Sequence, residues 1–228
     1  MGLMNNDMIF SNFNVDIVFC IDRNCENIVK NIGAVIVRLC DMFTESMELN
    51  CNDVEAFRVK FLEFDNLLDR PFAESEFFEY KNQKQSILEY CENIKAHKLK
   101  DGDTVDTLEA IAVSLNSEWV TTSIIRRHIV VVLSDSYCSE YGKNSASPFY
   151  PENIPVDLSE LSSWWEGTAA ICENYSSKSG RLIIFAPDIE PLTYLQAWNR
   201  MYPVFTKSQP GNFNGDFSEF FSALEMYL

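Results

Sequence analysis

The sequence predicts a single α/β domain built on a doubly wound, mostly parallel, Rossmann-like sheet with helices on both faces. Three short β-branched runs support this prediction: NVDIVFCID at 14–22, RHIVVVL at 127–133 and RLIIF at 181–185. Each run is apolar on both alternating faces, which is typical of strands buried between two helical layers. Segments with helical periodicity separate the runs, and an alternation of strands and helices favours parallel pairing.

Residues 1–13 are interpreted as an N-terminal extension and residues 14–228 as one domain. A single domain fits the length, since α/β folds often reach about 200–250 residues. A helix is predicted from Ile28 to about Glu48, because apolar residues recur there at spacings of three and four. The same periodicities predict a strand at 57–64 near the sheet edge, helices at 84–96, 108–115 and 158–175, a short helix at 194–199, a strand at 202–205 and a helix from Phe217.

The acidic segment at 65–80, DNLLDRPFAESEFFEY, shows no clear period. It is predicted to form a long ordered loop or a short antiparallel ribbon, with Phe72, Phe77 and Phe78 anchoring it on the core. The alternative interpretation is an exposed aromatic patch that binds a partner.

The composition limits the class of partner. Thirty-four acidic and 18 basic residues give a net charge of −16, which argues against nucleic acid or an anionic membrane. A basic protein partner, a metal ion or simple solubility fits this charge better. No segment approaches about 18 uninterrupted apolar residues, so no membrane span is expected. The first residues lack a basic leader and a long apolar core, and the seven cysteines form no CxxC pair. We therefore expect a cytoplasmic protein with reduced thiols.

Polar residues follow two of the predicted central strands. Asp22, Asn24 and Glu26 come after the first strand, and Asp135 follows the strand at 127–133. In doubly wound sheets the ligand crevice lies beyond the carboxyl ends of the central strands. Oxygen ligands of this kind suit Mg²⁺, Mn²⁺ or Ca²⁺, and clustered carboxylates need a cation or a basic side chain to offset their repulsion. Aspartates at strand ends also occur simply as helix N-caps.

Three segments, DIVFCIDRNCE, DTLEAIAVSLNSEWV and RRHIVVVLSDS, resemble in their order and spacing the von Willebrand factor type A domain. The likeness is to bacterial intracellular members related to the tellurite-resistance type. FRVKFLEFDN, ESEFF and RLIIFAPD are similar to other parts of those domains, so the resemblance covers nearly the whole chain from Asn14.

The resemblance implies a metal-ion-dependent adhesion site. In that family the ligands come from D-x-S-x-S after the first strand, a Thr or Asp before a later helix, and an Asp after the fourth strand. The first and last ligands match Asp22 and Asp135, whereas Asn24 and Glu26 replace the two serines. The ligand from the polar loop stays open among three residues: Asp101, Asp103 and Thr104.

The two replacements have different consequences. Asn24 can supply a carbonyl oxygen to an ion. Glu26 either ligates the ion directly or fills its place by pairing with an arginine, for which the candidates are Arg23, Arg126 and Arg127.

The resemblance implies a cytoplasmic interaction module that binds a protein partner of unknown identity through a divalent cation, and not an enzyme. Two alternatives stay open: a metal-dependent hydrolase or phosphotransferase using the same carboxylates, and a metal-free scaffold. Neither GxGxxG nor GxxxxGK[ST] is present, so no nucleotide cofactor is expected.

Overall fold

A computed structural model describes residues 12–49, 53–98, 104–121, 125–167, 179–206 and 209–227. The strands are β1 Asn12–Asp22, β2 Asp53–Phe64, β3 Ala73–Glu74, β4 Phe78–Glu79, β5 Ile125–Leu133, β6 Gly180–Pro187 and β7 Met201–Thr206. The helices are α1 Glu26–Leu49, α2 Tyr80–Asn93, α3 Thr107–Leu115, α4 Leu158–Trp165 and α5 Ser218–Tyr227, with a 3₁₀ helix at Leu192–Ala197.

One seven-stranded sheet holds these strands in the order β3-β2-β1-β5-β6-β7, and β4 also pairs with β2. The pairs from β2 through β7 are all parallel, whereas β3 and β4 run antiparallel to β2. The predicted doubly wound, mostly parallel α/β sheet is therefore confirmed.

Strand β1 lies at the centre of the sheet, as predicted from its two apolar faces. Ile17 and Phe19 point into the hydrophobic cluster that contains α1, α2 and α5. Val18 and Cys20 point into the opposite cluster, which contains α3 and α4. Because hydrophobic side chains cover both faces, the strand is buried from Asn14 to Asp22, which fixes the position of its carboxyl end.

The acidic segment after β2 forms a short ribbon along that strand. Its rings pack on the core: Phe72 lies 6.3 Å from Phe64, and Phe77 lies 6.1 Å from Trp119 between ring centroids. Phe78 contacts Phe61 at 5.9 Å. The prediction of an anchored ribbon is confirmed, and the alternative of an exposed aromatic patch is wrong.

Several predicted boundaries are wrong. The strand expected at 57–64 begins at Asp53, and the helix expected at 84–96 spans Tyr80–Asn93. The helix expected at 158–175 ends at Trp165, because Glu166 caps it and Gly167 takes a φ of 69°, a left-handed conformation that ends helices. Residues 168–178, where the rest of that helix was predicted, lie outside the described residues. In the described ranges, no helix is long and apolar enough to cross a membrane.

Two adjacent leucines after β2 provide a test of this core. Leu67 is fully buried, whereas 62% of Leu68 is exposed. Leu67→Ala should lower the free energy of unfolding by about 2–5 kcal/mol through lost burial and the cavity left behind. Leu68→Ala, the matched control, should change it by less than about 0.5 kcal/mol. Urea unfolding measures both, and equal effects would contradict this placement of the chain.

Candidate functional site at the carboxyl edge of the sheet

The carboxyl ends of β1 and β5 bring Asp22 and Asp135 to the same place. Ile21 of β1 pairs with Leu133 of β5, so the residues that follow both strands emerge side by side. The hydroxyl of Ser134 donates a hydrogen bond of 2.8 Å to Oδ2 of Asp22. Two aspartates far apart in the sequence therefore form one buried cluster.

The carboxylate of Asp22 is fully buried, and both of its oxygens accept hydrogen bonds. Oδ1 accepts from the backbone N–H of Asn24 at 2.8 Å and from the Asn24 side-chain amide at 3.1 Å. Burial raises the pKa of Asp22, and the hydrogen bonds from Ser136, Asn24 and Ser134 offset only part of that rise. This carboxylate is well oriented and shielded from water, which is unfavourable for a nucleophile that must reach a substrate.

Asn24 connects the cluster to a third strand end. Its amide nitrogen donates to Asp22 and also, at 2.8 Å, to Oδ1 of Asp65, which directly follows β2. Its carbonyl oxygen Oδ1 is buried and has no hydrogen-bond partner among the described residues. One acceptor of Asn24 is therefore available to a ligand.

Asp135 supplies the second available oxygen of this cluster. Its Oδ2 accepts a hydrogen bond of 2.8 Å from the backbone N–H of Phe213 and lies 3.9 Å from the thiol of Cys25. Its Oδ1 is buried and unpartnered within the described ranges. Burial, and secondarily the charge of Asp22, raises the pKa of Asp135 to about 6.

The segment at 211–213 packs against Asp135. Gly211 donates its backbone N–H to the main-chain oxygen of Asp135 at 2.6 Å. Asn27, in the first turn of α1, donates to the carbonyl of Phe213 at 2.7 Å, and the Phe213 ring packs 5.2 Å from Phe185. This segment was not predicted, since no local sequence pattern links it to a strand end almost 80 residues earlier.

Asp65 is a further site residue that the sequence analysis missed. Its carboxylate lies 2.9 Å from the His97 ring, 3.4 Å from Arg70 Nε and 3.8 Å from Arg23 Nε. Burial alone would raise its pKa, but hydrogen bonds from Asn24, Asn66 and His97 and the charge of Arg23 together lower it. The rule that located Asp22 and Asp135, an aspartate at the end of a strand, would have identified it.

The structure does not bring Glu26 into this cluster. Glu26 starts α1 and is exposed, where its charge suits the helix N-terminus. Within the described ranges no ion pair joins Glu26 to an arginine: Arg23 pairs with Glu63 and Asp65. Arg126 lies at the start of β5, and parallel strands place that start at the opposite edge of the sheet from Glu26.

The polar loop before α3 is only partly described. The carbonyl of Thr104 accepts a hydrogen bond of 2.9 Å from Asn66, so Thr104 lies beside the end of β2. Asp101 and Asp103 lie outside the described residues. Among the residues that are described, no group of three or more His, Cys, Asp and Glu side chains is arranged to hold a metal. Any ion here would therefore need the Asn24 carbonyl or ligands from elsewhere.

Two buried acids at the start of α3 hold the loop that follows β5. Asp106 accepts hydrogen bonds from the Ser139 hydroxyl at 2.7 Å and the Asn144 amide at 2.9 Å. Glu109 accepts from the Gly142 N–H at 2.7 Å. Burial raises the pKa of Glu109 to about 7. These contacts fix the loop against the carboxyl ends of the strands.

The sequence matches no protein-family profile and no curated protein sequence. Among solved structures, the fold is similar to the pilus adhesin SpaC from Lactobacillus rhamnosus GG in its open conformation, with a TM-score of 0.48 and 12% identity. A second structure of that adhesin gives a TM-score of 0.47 at 12% identity. Each match covers 93% of this chain and 30% of the adhesin, so the chain spans less than a third of the adhesin's length.

The raised pKa of Asp135 predicts a pH dependence of stability in cation-free buffer. Folding takes up a proton here, because the folded pKa of about 6 exceeds the ordinary value of 3.8. The contribution of protonated Asp135 to the free energy of unfolding is fully present below pH 3.8 and is lost as the pH rises through about 6. Relative to the wild type, Asp135→Asn should therefore gain about 1–3 kcal/mol of unfolding free energy between about pH 4 and pH 8.

Urea titrations in EDTA at several pH values measure this difference, and comparing pH values cancels any fixed cost of burying the new amide. Asp188→Asn is the matched control, since Asp188 follows β6 at the same edge but is exposed. An Asp135→Asn effect that is the same at every pH would show that Asp135 ionises without penalty.

Proposed function

We propose that this chain is a protein-interaction module of the von Willebrand A type, which holds a divalent cation at the carboxyl edge of its sheet and presents it to a partner. Asp22, Asn24 and Asp135 would hold the ion. A hard cation bound by oxygens keeps further coordination positions that a carboxylate of the partner can fill.

The observation that carries the proposal is the pair of buried, unpartnered oxygens Asn24 Oδ1 and Asp135 Oδ1. Buried polar atoms are nearly always satisfied, so two such acceptors in one cluster indicate a missing positive group or donor. Both oxygen types are ligands that Mg²⁺, Mn²⁺ and Ca²⁺ accept.

The distribution of charge supports the same proposal. The arginines Arg23 and Arg70 lie within 4 Å of the carboxylate of Asp65, which also lies 2.9 Å from the His97 ring. Among the residues that the structure describes, hydrogen bonds and no cation offset the buried charge of Asp22, and Asp22 itself contributes to the raised pKa of Asp135. Two buried carboxylates without a counter-charge are costly, and an ion would remove that cost.

The other side chains of the edge would orient the ligands. Ser134 holds Oδ2 of Asp22, and the backbone N–H of Phe213 holds Oδ2 of Asp135, which leaves the opposite oxygen of Asp135 available. Asn24 is the partly exposed member of the three and lies where the cluster approaches the surface. Glu26 is exposed and would remain outside this ligand set.

A thermal melt of EDTA-stripped protein, titrated with Mg²⁺, Mn²⁺ and Ca²⁺, tests the ion site. A ligand bound only by the folded state should raise Tm by about 5–10 °C at an ion concentration about 100-fold above Kd. Asp135→Asn should lose this rise, measured against its own EDTA baseline, whereas the exposed control Asp188→Asn should keep it.

No rise with any of the three ions would overturn the cation proposal and favour the metal-free scaffold, in which a proton on Asp135 replaces the ion. Phosphoester turnover that requires Mg²⁺ and is lost in Asp22→Asn would instead favour the hydrolase alternative.

A further inference from the structure

A cavity of about 750 Å³ opens at the carboxyl ends of β5 and β6, between the loop that follows β5 and the segment that follows β6. Thr104, from the polar loop before α3, lies on its wall. Cavities of roughly 300–1,000 Å³ are typical of sites that bury small ligands.

We infer that this cavity binds a short basic segment of the protein partner, with a lysine or arginine side chain inside it. The inference rests on the proposed function, since it names the chemistry of the partner that the module would bind.

The charges of the cavity carry the inference. Glu140 and Glu190 line it and are exposed, and neither forms an ion pair within the described part of the chain. Lys143 also lines the cavity, so its three charged side chains sum to −1. The chain as a whole carries −16, which adds attraction for a basic partner over longer distances.

Acidic residues behind the loop reinforce this field. Asp157 and Glu160 stand within two residues of Leu158, the lining residue at the start of α4. A site surrounded by carboxylates on several elements attracts cations and repels anions.

The walls of the cavity suit the aliphatic stem of a basic side chain. Leu158 and Pro191 are half-buried, and 56% of Tyr194 is exposed at the rim. Lysine and arginine bury their stems along apolar groups while the charged head faces polar ones, and a cation also binds the face of a tyrosine ring. An exposed tyrosine at a cavity rim is a frequent anchor in protein interfaces.

The cavity is already formed in the free chain. Asp106 and Glu109 hold its loop wall through Ser139 and Gly142, each at 2.7 Å. Val105 donates its N–H to the carbonyl of Tyr137 at 2.8 Å, which ties the wall to the loop before α3. A preformed wall lowers the ordering cost that binding would otherwise require.

Two-dimensional ¹H–¹⁵N NMR of the full chain in EDTA tests the inference with two tetrapeptide amides, acetyl-Ala-Leu-Arg-Ala and acetyl-Ala-Leu-Glu-Ala. The arginine peptide should shift the amide signals of Ser139, Glu140 and Thr193 in a saturable way, and the glutamate peptide should not. Glu140→Gln combined with Glu190→Gln should weaken the arginine peptide at least tenfold, and Lys143→Gln should tighten it severalfold.

Glu152→Gln is the matched control, because Glu152 is an exposed acid that lines a different cavity. Equal shifts by both peptides, shifts confined to other regions, or no loss in the double variant would overturn the inference. Agmatine binding as tightly as the arginine peptide would also overturn it, by showing a site for free amines. Because EDTA is present, failure of the cation proposal would leave this result unchanged, so the two failures are distinguishable.

Discussion

The parallel pairing of β1 with β5 is the constraint on which the arrangement of the carboxyl edge depends. Their register places Ile21 opposite Leu133, so Asp22 and Ser134 leave the sheet together. Both strands are buried on two faces, so a slide of either strand would disrupt close packing in both hydrophobic clusters. The close approach of Asp22 and Asp135 is therefore imposed by the core, at an electrostatic cost that the core's burial offsets.

That cost is distributed unevenly among the three strand-end aspartates. Hydrogen bonds from Asn24, Asn66 and His97 and the charge of Arg23 lower the pKa of Asp65 against the effect of burial. Asp22 receives hydrogen bonds and no cation from the described residues, and burial raises its pKa and that of Asp135. At the carboxyl ends of the strands, the basic side chains therefore lie around Asp65, and the available oxygens lie around Asp22 and Asp135. This asymmetry separates a structural aspartate from two that can serve a ligand.

The sequence predicted the parts of this arrangement that follow from periodicity. Runs that are apolar on both alternating faces identified β1, β5 and β6. The geometry of parallel sheets then placed Asp22 and Asp135 together at the carboxyl ends of their strands. Asp65 follows β2 directly, and the strand-end rule, applied to that predicted strand as well, would have identified it. The segment over Asp135, held by Phe213, could not be foreseen, since it depends on a contact across the fold. Gly167 ended α4 where apolar spacing alone suggested that it continued.

The proposed cation site and the basic-segment cavity share one structural support. Asp106 and Glu109 at the start of α3 hold the loop that begins at Asp135 and forms the wall with Glu140. Asp135 takes up a proton below about pH 6, and an ion replaces that proton in the proposed state. The net negative charge of the cavity depends neither on the proton of Asp135 nor on the ion. A partner with an acidic and a basic group close together would therefore bind the ion with the first and the cavity with the second, and a partner bearing only acidic groups would be repelled by the rest of the surface.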